Sequence, residues 1–395
     1  MFEKEMEGLR KNGLLREVRD RAGRQGPSIF VDGKNLVNFS SNDYLGLAAN
    51  SALIEAAAAA AQKCGAGAGA ARLLSGGSGL HGELERKAAS FTGCDAALLF
   101  NSGYHANTGS IPALAGPDCT IFSDELNHAS IIDGCRLSRA RTVIYRHADP
   151  AHLEELLVSE RPKSERALVV TESVFSMDGG IAPLDCIFDL SARHGASLYV
   201  DDAHALGVLG GGKGSLAHFG LDRENKKRNS KTSEPVVMQM CTFSKALGSY
   251  GAFVAAPKEI IDWLRNTART FIFSTALPPS VVGASLAAMD ILDSGEGRSL
   301  VEKLRANIEA IHEGLAAAGL EGFSALLSPI VPVLLGGVEE TMNASRRLLE
   351  AGFYVPAIRP PTVKRPRLRL QVTAAHCGVD IGALLAALKS MKIPS

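Results

Sequence analysis

The sequence predicts an α/β fold: a large domain built on a mostly parallel sheet flanked by helices, followed by a smaller α+β C-terminal domain. Three observations predict it. The short runs DAALLFNS, TVIYRH, RALVVTES, ASLYVDDAH, PVVMQMCTF and GAFVAAP are apolar on both faces, so both faces of their sheet need cover. Helical stretches alternate with these runs, as in βαβ units. After about Leu277 the order changes to helices, then IVPVLLGG and RLRLQVTAA as strands, then a last helix, DIGALLAALKSM. The expected domains are an N-terminal helix and hairpin segment (1–45), the large domain (46–280) and the small one (281–395).

In chain order, residues 1–25 read as an amphipathic helix. SIFVDGKNLVNFSSNDYLGL reads as a hairpin around Asp32-Gly33 and a turn-rich loop. ALIEAAAAAAQKCG is alanine-rich and helical, stopping at Gly65, and HGELERKAASFTG is helical too. TIF is a short apolar run. LDRENKKRNSKTSEP (221–235) is polar and unpatterned, an exposed loop. LPPSVVGASLAAMDILDS and SLVEKLRANIEAIHEGLAAAG open the small domain as helices.

The 395 residues carry 42 Lys+Arg against 42 Asp+Glu, so no bulk charge favours a nucleic acid or an anionic membrane as partner. No apolar run approaches the ~18–20 residues of a membrane helix. The charged start, MFEKEMEGLRKNGLLREVRDRAGR, is not a secretory signal. The seven cysteines have no CxxC spacing and read as scattered buried thiols of a cytoplasmic protein, with no zinc site.

Ligands of such sheets sit at the carboxyl ends of strands, where the polar clusters fall. CTFSKALGS puts Lys245 just past an apolar strand, with Thr242, Ser244, Gly248 and Ser249 around it. A solvated lysine has no need of small neighbours; one that is covalently attached to something bulky does. Asp201 and His204 lie three residues apart past another strand. A buried carboxylate needs a cation or donors, and a protonated ring nitrogen is one such partner. Lysine and aspartate together suit pyridoxal 5′-phosphate, whose aldehyde forms a Schiff base and whose ring nitrogen an acid keeps protonated. Taken singly, Lys245 reads equally as a surface lysine and Asp201 as a helix cap. FNSGYHANTGS offers the backbone of Gly103 and Tyr104 at a helix start for a phosphate, joined by the hydroxyls of Thr242 and Ser244, or else a routine glycine turn. His128 either stacks on a ring or starts a helix. Ser176 lies just past a strand, where its hydroxyl and His204 suit a phenolic oxygen.

FSSNDYLGL, TESVFSMDGG, VDDAH, TFSKALGS and RLRLQVTAAH, in this order and spacing, resemble the α-oxoamine synthases over roughly residues 10–390. The resemblance implies a pyridoxal-phosphate enzyme of fold type I, a cytoplasmic homodimer with active sites shared between subunits. It implies decarboxylative condensation of an amino acid with an acyl thioester. AIRPPTVKRPRLRLQVTAAH, with Arg-Pro-Pro-Thr at 359–362, is most similar to members that join L-alanine to a pimeloyl thioester for biotin. Members using glycine and another acyl-CoA are the alternative, and an acyl carrier protein is a possible donor. By the same resemblance Lys245 is the attachment lysine, Asp201 holds the ring nitrogen, His128 stacks, and Ser176 and His204 meet the phenolic oxygen. Gly103, Tyr104 and Thr242 serve the phosphate, and Ser274 and Thr275 reach the partner subunit's phosphate. Arg369 binds the amino-acid carboxylate, Arg16 and Thr362 contact substrate, and Asn42 lies near the attachment point. The family's usual PxGxARLR reads VKRPRLR here. Without the resemblance, RPRLRL alternates basic and apolar residues and reads as a strand with Arg365, Arg367 and Arg369 on a solvated face.

GVLGGGKGS (207–215) nearly fits the phosphate-binding G-x-x-x-x-G-K-[ST], but Gly214 stands where the hydroxyl belongs and SLAHFG is too short for the helix that loop opens. A glycine-rich turn is the better account.

Overall fold

The computed structural model describes residues 2–16, 18–222, 234–320 and 328–391. The chain divides into two units: 50–175 with 181–301, and 1–49 with 176–180 and 302–395. The expected boundaries at 45/46 and 280/281 differ from these, and the N-terminal segment groups with the C-terminal residues. The later boundary falls inside the helix Gly295–Ala317. Most of the polar stretch 221–235 lies outside the described residues.

The large unit holds seven strands: β1 (Ala96–Phe100), β2 (Cys119–Asp124), β3 (Arg141–Tyr145), β4 (Arg166–Glu172), β5 (Ser197–Asp201), β6 (Val237–Thr242) and β7 (Ala252–Ala256). Their order is β1-β7-β6-β5-β4-β2-β3. The pairs β2–β3, β2–β4, β4–β5 and β5–β6 are parallel, and β7 alone runs antiparallel to both its neighbours. TIF, only a short run by sequence, is the middle of β2, where every residue is buried. Leu168, Val170 and Tyr199 pack into one core layer, with Leu98, Ile121 and Met240. Their sequence neighbours Ala167, Val169, Leu198 and Val200 pack into another, with Phe122, Leu153 and Ile187. Each face has its own apolar cover, which is why these strands show no polar alternation.

Helices fall where the sequence puts them. The alanine-rich helix α1 (Ser51–Cys64) starts on the Asn50 side chain and stops at Gly65. Helix α2 (Gly79–Thr92) stops at left-handed Gly93. Helix α3 (Gly103–Leu114) opens at the carboxyl end of β1, and α4 (Ala129–Ser138) at that of β2.

In the small unit, strands Ser28–Val31 and Lys34–Asn38 form an antiparallel hairpin with Asp32 and Gly33 both at positive φ, the two-residue turn that Asp-Gly favours. Phe353–Tyr354 pairs parallel to the second strand. A second sheet has the order Ile330–Leu334, Arg367–Gln371, Ala357–Ile358, all antiparallel. The N-terminal helix is shorter than expected: it covers only Glu3–Lys11 and buries no residue. Its periodicity has no apolar surface to pack on, so the pattern alone does not extend it to residue 25. The thiols also differ from expectation, since Cys186 and Cys377 are exposed; none of the seven is in a disulfide.

Candidate active site

Strand β6 ends at Thr242, and the chain reverses into β7 through a closed turn. Phe243 N donates to Gly251 O at 2.9 Å, Ser249 N to Phe243 O at 2.9 Å and Gly248 N to Lys245 O at 2.9 Å. Half-buried Lys245 sits in this turn, and its small neighbours are what let the turn close around it. The Lys245 Nζ lies 2.8 Å from Nε2 of His204, which is buried in the turn following β5. At that distance one nitrogen donates a hydrogen bond to the other, so imidazole and amine are held as a pair.

Asp201 ends β5 and is 5% exposed. Its Oδ1 accepts from Ala203 N at 3.0 Å and its Oδ2 from Asn107 Nδ2 at 2.8 Å. Burying a carboxylate costs several kcal/mol unless partners compensate, and these donors hold it in one orientation. His128 starts α4. Its Nδ1 accepts from Ser130 N at 3.2 Å and lies 2.8 Å from Ser130 Oγ. The residue is exposed, while its Nδ1 is engaged by Ser130. Partial desolvation there lowers its pKa from the ordinary value. Asp201 pulls it upward and Lys245 pushes it down, so one ring feels both charges.

Helix α3 supplies the donors for an anion. Ser102 precedes it with an extended backbone, its Oγ accepting from His105 N at 3.2 Å. The first N–H groups of a helix have no partner within it. A Cβ on Gly103 would meet Thr242 Cγ2 at 2.9 Å, so only glycine brings this helix start against the end of β6. Thr242 donates to Ala203 O at 3.4 Å, while Ser244 is exposed. Tyr104 is exposed, its hydroxyl bonded to Asp133. Thr275 is exposed and its carbonyl accepts from Asn101 Nδ2 at 2.9 Å; Ser274 is half-buried. Thus Lys245, His204, Asp201, His128, Gly103 and Thr242 come together at the carboxyl ends of β1, β2, β5 and β6. The set fits pyridoxal phosphate: an amine in a closed turn, a buried acid, and helix N–H groups against a hydroxyl strand end.

The remaining predicted residues lie in the small unit. Arg369 is 6% exposed; its Nε donates to Ser176 O at 2.7 Å and its NH2 reaches Asn42 Oδ1 at 3.5 Å. The same Asn42 oxygen accepts from Gln371 Nε2 and, at 3.1 Å, from the Tyr44 hydroxyl. Burial pushes the Tyr44 phenol up to about 12, against the pull of Arg369. Arg16, on the surface, donates to Thr362 Oγ1 at 3.0 Å. It lines a cavity of about 540 Å³ with Arg19, Arg346 and Arg359. The solvated-face reading of RPRLRL is wrong for two of its three arginines. Every residue of Arg367–Gln371 is buried, Arg367 is paired to Asp178, and only Arg365 is exposed.

Sequence reasoning missed Asn107, Ser130, Gln371 and Asp178. Asn107 stood in plain view inside FNSGYHANTGS, an amide on a helix face otherwise lined by small and apolar residues. The glycine-rich turn 207–215 has Gly207, Gly210, Gly211, Gly212 and Gly214 at positive φ and is followed by a helix of four residues, Ser215–His218. The fully buried Asp202 holds it, accepting from Ser215 N at 2.9 Å, Gln239 Nε2 at 2.6 Å and the Ser215 hydroxyl. It is a structural turn.

Residues 34–388 match the aminotransferase class I and II family model. A relative from Geobacter metallireducens, 8-amino-7-oxononanoate synthase, is 48% identical over 393 residues, 98% of this chain and 97% of that one. Among solved structures, serine palmitoyltransferase from S. paucimobilis with bound PLP–myriocin aldimine superposes with a TM-score of 0.91 at 31% identity, covering 98% of this chain and 96% of the other. An 8-amino-7-oxononanoate synthase from Francisella tularensis gives 0.76 at 28% identity, covering 90% and 97%. Among the described residues no helix is long and apolar enough to cross a membrane. The chain belongs to the aminotransferase class I and II family, and is a pyridoxal-phosphate-dependent enzyme of fold type I.

Proposed function

We propose that this enzyme condenses L-alanine with a pimeloyl thioester to give 8-amino-7-oxononanoate, carbon dioxide and free thiol, a step of biotin biosynthesis. The observation that carries the chemistry is the 2.8 Å contact between Lys245 Nζ and His204 Nε2 at the carboxyl end of the sheet. The choice of substrates rests on the 48% likeness to a relative named for that product. Pyridoxal phosphate, when bound, supplies an electron sink next to the substrate α-carbon.

Lys245 is the attachment residue and, as free amine, the base that takes the α-proton onto Nζ. His204 Nε2 holds Nζ in place by their hydrogen bond. Asp201 holds a proton on the ring nitrogen, kept in its rotamer by Ala203 N and Asn107 Nδ2. When the cofactor is bound, the His128 ring would stack on its ring, and Gly103 N, Tyr104 N and Thr242 Oγ1 would hold its phosphate. Arg369 binds the amino-acid carboxylate, whose loss as carbon dioxide follows formation of the bond between the α-carbon and the thioester carbonyl and departure of the thiolate. Arg16 and Thr362, 3.0 Å apart, meet the acyl donor. The enzyme works as a cytoplasmic homodimer in which Ser274 and Thr275 reach the partner subunit's phosphate, with coenzyme A or an acyl carrier protein bearing the acyl group.

A rate panel tests this: alanine and glycine, each with pimeloyl- and acetyl-CoA and with pimeloyl carrier protein. Product from alanine and a pimeloyl donor alone is the expected result. Turnover of glycine with acetyl-CoA, and none with pimeloyl donors, replaces this reading with that of a glycine acyltransferase. Serine belongs in the panel as a third amino acid, since the serine palmitoyltransferase superposes with the higher TM-score. Serine turnover exceeding that of alanine overturns the alanine assignment.

A further inference from the structure

We infer that Asn107 is a positioning residue that ties the Asp201 carboxylate to the His128 ring through one buried amide. The inference rests on the functional reading for its catalytic consequence, but its geometry stands alone. Asn107 lies on α3, one turn past Gly103, and is fully buried. Its Nδ2 donates to Asp201 Oδ2 at 2.8 Å and to Ser130 Oγ at 2.9 Å, and its Oδ1 accepts from the Tyr199 hydroxyl at 3.0 Å. The amide can sit in only one sense. Flipped, its oxygen would face a carboxylate oxygen, and its NH2 would point at a phenol whose proton burial retains.

One sense of the amide then fixes the next group. Ser130 Oγ accepts from Asn107, so its own proton points to His128 Nδ1, 2.8 Å away. That nitrogen also accepts from Ser130 N–H, so it carries no proton, and the neutral ring is protonated at Nε2. The partners come from β5 (Asp201, Tyr199) and α4 (Ser130), elements separated from Asn107 by 94, 92 and 23 residues. A single side chain thereby joins Ala203 N in holding the acid in its rotamer and, through Ser130 Oγ, joins the Ser130 N–H in holding the imidazole in its tautomer. Asn107 touches Asp201 and Ser130 directly, and Ser130 carries the contact on to His128.

Three variants separate the two arms. Asn107→Leu removes both; Asn107→Ser, smaller and still polar, guards against a failure to fold; Ser130→Ala cuts only the imidazole arm. Nitrogen-15 NMR of histidine-labelled, cofactor-free protein reads the His128 tautomer. The wild type should show Nδ1 bare and Nε2 protonated, and Asn107→Leu and Ser130→Ala should both shift the Nδ1 signal toward mixed tautomers. The absorption–pH titration of the holoenzyme reads the Asp201 arm. It should move in Asn107→Leu and stay in Ser130→Ala. The kcat of Asn107→Leu should fall roughly 10- to 100-fold with KM little changed. A folded Asn107→Leu or Asn107→Ser with the wild-type histidine spectrum and titration curve overturns the inference. The functional reading fails separately, if borohydride fixes no chromophore on wild-type Lys245, and the NMR arm still decides the role of Asn107.

Discussion

Two adjacent aspartates leave the end of β5 toward different regions and do different work. Asp202 is fully buried among donors from the glycine-rich turn and β6, and every contact it makes holds the chain to itself. Asp201 is as buried but leans on an amide and a single backbone N–H, in a cluster that includes a lysine, two histidines and an open helix start. The difference teaches how to read a buried acid: one ringed by backbone and turn donors stabilises the fold, while one set among titratable groups is arranged for chemistry.

The comparison can be broken or sharpened by mutation. Lys245→Ala should abolish turnover and the bound chromophore's absorption while leaving thermal unfolding nearly unchanged; residual wild-type rates would falsify its role. Asp201→Asn keeps the shape but loses the charge and sets an NH2 against one of the two donors, and kcat should drop by about 10²–10⁴ while the folded protein persists. Asp202→Ala should do the reverse. It leaves Ser215 N and Gln239 Nε2 as unpaired buried donors, so stability should fall by ~3 kcal/mol in urea unfolding while the folded fraction keeps its cofactor. If Asp202→Ala loses activity without losing stability, the division of labour is wrong.

A buried histidine gives a smaller, pH-dependent contrast. His376 is fully buried, stacked on Phe39 at 4.2 Å, with Nδ1 accepting from Thr373 N and Nε2 directed at Asn38 O. Burial pushes its pKa down to about 4. Unfolded, it protonates near its ordinary value of about 6.5, so below that pH the unfolded chain binds a proton that the native one refuses. Its contribution is complete above pH ~6.5 and declines as pH falls toward 4, by about 3 kcal/mol in all. Unfolding of wild type and His376→Gln across pH 4–7 should show the flatter slope in the variant. Smallest of all, Tyr104→Phe removes a surface bond to Asp133 and should change stability by no more than ~0.5 kcal/mol.

What was legible in the sequence was local. The Asp32-Gly33 hairpin, the Gly65 stop and the doubly apolar strands follow from neighbouring residues alone. Lys245 was legible because a closed turn demands small residues beside it. The amphipathic reading of 1–25 overshot, because periodicity speaks of a face without saying that anything covers it. Taken by its alternation alone, RPRLRL puts Arg367 and Arg369 on a solvated face, because alternation cannot reveal that the segment 176–180 offers Asp178 and the Ser176 carbonyl to them; only the family resemblance singled out Arg369. Asn107 stands in the open within FNSGYHANTGS, but its role was not legible for the same reason: its three partners lie on other elements, and an amide announces no destination.

The reversed strand β7 has a consequence for the lysine. Because β6 and β7 are bonded in register up to Thr242 and Ala252, the nine residues between them are pinned at both ends to the seven-stranded sheet. The amine can change what it is bonded to while its Cα stays put. For the attachment role proposed for Lys245, little freedom would then be lost each time the amine returned.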